Sequence, residues 1–97
     1  MLRFEWDDGK NAENKQKHRV AFEEAETVFY DERGVLLEDD DEGGAREERF
    51  VLIGLSAGLR VLVVCHTYRR REQVIRLISA RRANRAERAD YEARWRR

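Results

Sequence analysis

The chain has no proline, a single cysteine and no long apolar run. The longest such run, Val61 to Cys65, is far too short to span a bilayer as a helix. Cys65 lies inside it, so it reads as a small buried hydrophobe and argues against a disulfide-stapled scaffold. The opening residues Phe4-Glu5-Trp6-Asp7 are not a basic segment followed by an apolar one, so no signal peptide is expected. These absences point to a cytoplasmic protein with no membrane contact.

Several chemistries lack their signatures too. There is no P-loop, no dinucleotide-binding glycine pattern and no nucleophile elbow. Two histidines and one cysteine do not make a zinc set. The acidic run around Asp40 lacks the spacing of an EF-hand. Neither a metal nor a cofactor is expected.

What the chain has in abundance is charge, 41% of its residues, at a formal net charge of zero. That zero hides a segregation. Residues 1–50 carry 8 Lys+Arg against 16 Asp+Glu, a balance of −8. Residues 51–97 carry 12 against 4, a balance of +8. All cations of the second half are arginine, and the three lysines lie in the first. Such a split suits a basic face for a polyanion, or two halves that attract each other.

A length of 97 residues with 41% hydrophobic content makes one small domain, 1–97, with no repeat and no linker. Leu2 to Trp6 alternates as a strand. Asp7 or Asp8 can cap a polar helix ending near His18, with Asn11, Asn14 and His18 on one face. A second helix covers Phe22 to Phe29, its apolar stripe being Phe22, Ala25, Val28 and Phe29. Val35 to Leu37 is a short strand. The acidic, glycine-ended stretch Glu38 to Gly44 then reads as a solvated loop, in which Asp39 to Glu42 are expected to be mobile and dispensable for folding. Strands follow at Arg49–Leu55, Arg60–Tyr68 and Val74–Ser79, and a helix of good formers at Arg82–Arg96. The order β-α-α-β-β-β-β-α predicts an α+β fold, a mainly antiparallel sheet with helices against one face.

Ile75-Arg76-Leu77-Ile78-Ser79-Ala80-Arg81-Arg82-Ala83 is the stretch richest in chemistry, an apolar strand that carries arginines to its own end. Guanidinium binds phosphate in two-point fashion and keeps its charge. Arg81 comes first among the candidates, placed at a strand end beside a helix start, where partial positive charge also favours phosphate. The bland alternative is a salt bridge to Glu48 or another acid. Arg76 either lines an open sheet face or covers apolar surface with its stem. Arg69, Arg70 and Arg71 form a hairpin tip, a solvated run from which Arg69 above all could reach a polyanion. Lys17 and His18 end the first helix, where His18 either favours the helix dipole or moves protons. His66, amid apolar strand neighbours, reads as structural. Glu47 and Glu48 open a strand and could orient an arginine or act as base. Tyr91, one turn beyond Glu87, stacks on a base or packs on the sheet, and packing is favoured.

Phe4-Glu5-Trp6-Asp7, Lys10-Asn11, Asn14, Lys17-His18, Phe22-Glu23-Glu24-Ala25, Glu47-Glu48-Arg49-Phe50, Ile78-Ser79-Ala80-Arg81 and Glu87 with Tyr91 follow one another along nearly the whole chain. Together they resemble the BrnT family of bacterial toxins. Arg19 departs from the family's glycine, Ala21 from its hydroxyl cap and Glu32 from its proline. The resemblance implies a RelE-like fold and a ribonuclease that cleaves RNA without metal and stops translation. It implies a BrnA-like ribbon-helix-helix antitoxin, with two toxins on an antitoxin dimer and operator DNA reached only through that partner. Taken with the readings of the residues above, Arg81, Arg76, Arg69, Lys17, His18 and Glu48 are the catalytic candidates, with Arg70, Arg71 and Tyr91 as candidates for RNA binding. A non-catalytic nucleic-acid- or protein-binding module of the same fold is the rival reading.

Overall fold

In a computed structural model, which describes residues 2–39, 48–71 and 73–94, the opening alternation becomes a short strand. This β1 (Arg3–Glu5) lies at the edge of a five-stranded sheet. The other strands are β2 (Val35–Glu38), β3 (Phe50–Leu55), β4 (Val61–Arg69) and β5 (Val74–Arg82), in spatial order β1-β5-β4-β3-β2. β2 to β5 pair antiparallel, as consecutive strands with tight turns do, whereas β1 pairs parallel with β5 and sets Phe4 opposite Ile75. The acidic loop lies outside the described residues from Asp40 on, as do Glu47, Glu72 and positions 95–97.

Helix α1 (Asp8–His18) starts where the Asp7 carboxylate accepts the Lys10 amide at 3.0 Å. It has almost no apolar stripe, and two buried asparagines dock it instead. Asn14 donates to the carbonyls of Val20 and Ala80 and accepts the Ala80 N–H. Asn11 accepts the Phe22 N–H at 2.9 Å and donates to Glu23. Asn11 thereby satisfies an amide at the start of α2 (Phe22–Ala25), where Ala21 has no side chain to cap it. Arg19 ends α1 in the left-handed region at φ 60°, so the cap form persists without glycine.

The second predicted helix is α-helical for one turn only and tightens into a 3-10 turn, Glu26–Tyr30. Gly54 lets that turn approach β3, because a Cβ there would meet the Val28 carbonyl at 3.3 Å. Phe22, Ala25 and Val28 are fully buried against Leu52, Leu62, Val64, Ile75, Leu77 and Ala80. A side chain such as Phe22 contributes roughly 1.5–3 kcal/mol through this burial.

The last helix, α3 (Arg85–Ala93), packs on the opposite face, not the one expected. It starts three residues later than predicted, because β5 stays paired to β4 through Arg82. Asn84 then caps the helix in a reciprocal bond with Glu87. Tyr91 anchors it against Ile53 and Val63. No helix among the described residues is long and apolar enough to cross a membrane.

Candidate nucleic-acid interface

The edge of β5 collects most of the cationic candidates, through one irregularity. Arg76 and Arg81 are five apart, which in a regular strand puts them on opposite faces. The β4–β5 register shifts between Cys65 and His66, so Ser79 faces Cys65 while Leu77 faces His66. The extra residue in β5 is a bulge that rephases the pleat. Arg76 then pairs with Thr67 and Arg81 with Val63, four apart on β4 and hence on one face. Both arginines lie on the face that α3 packs against, away from α2, roughly 13 Å apart along the strand.

Neither guanidinium is bare. Arg81 bonds Glu87 at two points, Nη1 to Oε1 and Nη2 to Oε2, each at 2.7 Å. Glu87 Oε1 also accepts the Asn84 N–H. The Arg81 bond is the chief cause that holds the Glu87 carboxyl below its ordinary range. The Arg81 side chain remains 42% exposed. Arg76 bonds Glu5 Oε2 at 2.8 Å, and Arg69 approaches the same oxygen at 3.8 Å. Together with Glu24–Arg60, these pairs join the acidic and basic halves of the chain. The reading in which the two halves attract each other therefore holds for these pairs.

Beyond Arg76, β5 has no strand on its outer side, since β1 pairs only as far as Glu5. Asn14 closes the ladder at Ala80, and a cleft of about 210 Å³ opens between α1 and the bulge. Lys10, Glu13, Asn14, Lys17 and His18 form its helical wall, and Ile78 and Ser79 its strand wall. The helical residues recur every three or four positions, which puts them on one face. His18 is half-buried there, next to exposed Lys17. Asn14 thus holds Lys17 and His18 at the same strand edge that carries Arg76 and Arg81.

Arg70 and Arg71 form the exposed tip of the β4–β5 hairpin, both in the left-handed region at φ 53° and 58°. Glu48 is not brought to the β5 edge. Its carbonyl accepts the Thr67 hydroxyl at 2.8 Å, so β4 stands between it and β5. The carboxylate on Arg81 is Glu87, not Glu48. Tyr91 is 2% exposed and its hydroxyl donates to Asp31, so the ring offers no face to a base and the packing reading replaces stacking. His66 is fully buried among Phe29, Phe50 and Tyr68, and burial pushes its pKa down. Trp6 packs edge-on against Phe22. No group of three or more His, Cys, Asp or Glu among the described residues could hold a metal ion.

Three side chains of the interface were not singled out from the sequence, namely Ser79, Glu5 and Glu87 as the partner of Arg81. The spacing Asn84-x-x-Glu87 was a readable signal, since an N-cap residue followed three later by glutamate marks a helix start.

A single five-stranded sheet, α2 on one face, α3 on the other and α1 docked at a cation-bearing edge define a small α+β domain. Its fold is similar to that of the Brucella abortus ribonuclease toxin BrnT, whose crystal structure superposes with a TM-score of 0.66 at 21% identity, covering 88% of this chain and 100% of that one. The model of the family described as ribonuclease toxin, BrnT, of type II toxin-antitoxin system matches residues 6–87, and the chain belongs to that family. A search among curated proteins returns no match. Members are the ribonuclease toxin of a toxin–antitoxin pair, so a cognate antitoxin is the partner.

Proposed function

We propose that this chain cleaves RNA at the bulged edge of β5, with side chains alone in the catalytic roles and no metal ion. The observation that supports it is the bulge, which gathers Arg76, Ser79 and Arg81 on one face beside the His18 cleft. A base takes the proton from a ribose 2′-hydroxyl, and the 2′-oxygen attacks phosphorus. The bond to the 5′-oxygen breaks, and that oxygen takes up a proton. The products carry a 2′,3′-cyclic phosphate and a 5′-hydroxyl. Arg81, with Arg76, stabilises the extra charge on the phosphorane, which is the term preorganised donors supply best. His18 transfers protons, and an imidazole can both accept and donate them. Lys17 adds positive charge to the same wall. Arg69, Arg70 and Arg71 hold flanking phosphates, while Glu48, behind β4, is left out.

In the cell this activity stops translation. A BrnA-like ribbon-helix-helix antitoxin neutralises it, two toxins docking on an antitoxin dimer that alone touches operator DNA. Purified protein incubated with end-labelled RNA in a chelator should give fragments ending in 2′,3′-cyclic phosphate. Cleavage that requires added divalent metal would remove the metal-free mechanism. Absence of cleavage, together with normal growth on expression without the antitoxin, would favour a non-catalytic binding module.

A further inference from the structure

The ion pairs divide the cations of this domain into two populations. Arg81 and Arg76, favoured as phosphate ligands, are each tied to a carboxylate. Among the described residues, Lys10 and Lys17 have no carboxylate within ion-pair distance, although both line the α1–β5 cleft. They are seven residues, about two helical turns, apart on the same wall. The Glu13 carboxylate shares that wall, so two ammonium groups and one carboxylate leave the cleft at +1 before His18 is counted. Opposite them stands exposed Ser79, a hydroxyl donor set by the bulge on the arginine-bearing face.

We infer that this cleft is a backbone-phosphate subsite for single-stranded RNA, with Lys10, Lys17 and Ser79 as its ligands. The inference rests on the ribonuclease reading above and extends it from the reacting phosphate to a neighbouring one. A free ammonium needs no carboxylate displaced before it takes a phosphate, whereas Arg81 and Arg76 must exchange partners. The cleft is large enough for a phosphate group. The lysines therefore make the first contacts, and the arginines engage phosphate already held at the edge. Lys10 is a new substrate-binding residue on this reading, and Lys17 a ligand rather than a base.

The test is the salt dependence of binding, which needs no turnover. A fluorescent single-stranded RNA is titrated with Arg81→Ala protein between 50 and 200 mM salt, so that binding is read without cleavage. Each phosphate contact to a single strand adds about 0.7 to the slope of log affinity against log salt. Adding Lys10→Gln and Lys17→Gln should flatten that slope by about 0.7, the value for one phosphate no longer neutralised. The charge-keeping pair Lys10→Arg and Lys17→Arg should preserve it, and Glu13→Gln should tighten binding. All these side chains are exposed, and circular dichroism confirms that each variant folds. An unchanged slope in the glutamine variant, with RNA still bound, overturns the subsite alone. A parent that binds no RNA at any salt overturns the ribonuclease reading and the subsite with it.

Discussion

Asn14 closes the free edge of β5 by holding both backbone groups of one residue: its amide donates to the Ala80 carbonyl at 2.7 Å and its oxygen accepts the Ala80 N–H at 3.1 Å. The same amide donates to Val20 at 2.8 Å, at the turn that leads into α2. One side chain thus does the work of a missing strand and fixes the floor of the cleft.

Replacing it is expected to cost more than an ordinary polar substitution. Asn14→Ala leaves three buried backbone groups without partners, and each unsatisfied group costs roughly 1–3 kcal/mol before relaxation. We predict a loss of about 2–4 kcal/mol, read from the urea midpoint. A change below about 0.5 kcal/mol, the size seen at an indifferent surface site, would show that water replaces the amide.

Arg19 holds φ 60° and ψ 31° at the end of α1, a conformation that strains a side chain and suits glycine. Its carbonyl accepts from Arg60, a backbone contact that glycine keeps. Arg19→Gly is therefore predicted to stabilise the domain by about 0.5–1 kcal/mol, a rise of a few degrees in Tm. A lower Tm would mean that the Arg19 side chain contributes something its exposed position does not reveal.

Much of this architecture was legible beforehand, and the misses have identifiable causes. Apolar patterning and turn residues mark the three central strands, because β3, β4 and β5 bury at least one face. The parallel pairing of β1 with β5 joins segments about seventy residues apart, and no local pattern encodes it. The bulge is equally silent. No glycine marks it, and a period of two across Ile75 to Arg81 assigns Arg76 and Arg81 to opposite faces. Asn11 and Asn14 were visible as one helical face, but their backbone partners lie in other elements. The site's cations could be named from the sequence, whereas their carboxylate partners required the fold.

Acid should weaken the fold through a specific set of carboxylates. Burial pushes the Asp31 carboxyl up, but the Leu55 N–H at 2.8 Å, the Tyr91 hydroxyl and the Arg33 N–H outweigh it and leave it lowered. Glu24 is lowered chiefly by Arg60, and Glu87 chiefly by Arg81. A group whose folded pKa is depressed contributes stability above its unfolded value and loses it as pH falls through the folded one. Stability should therefore be level near neutrality and fall below about pH 4, the ordinary carboxylate range. Tyr91→Phe removes one bond to ionised Asp31, so it should destabilise more at pH 7 than at pH 3. A gap between parent and variant that stays constant across this range would exclude Asp31 as the group concerned.

Arg81 and Glu87 give the sharpest prediction, because their two-point bond admits both a structural and a catalytic reading. If Arg81 stabilises the phosphorane, Arg81→Ala abolishes toxicity and leaves the circular dichroism spectrum intact. Arg81→Lys rescues poorly, since a point charge cannot reproduce the planar fork. Glu87→Gln can still accept the Asn84 N–H but withdraws the charge that competes with phosphate, so RNA should bind more tightly. If the pair only fastens α3 to the sheet, the pattern inverts. Arg81→Ala and Glu87→Gln then both lower the unfolding midpoint, and RNA binding by the Glu87→Gln protein stays where it was. Expression without antitoxin, growth curves and thermal melts on the same variants separate the two. A folded Arg81→Ala protein that arrests growth like the parent would end the case for this arginine and move it to Arg76, which shares its face of the sheet.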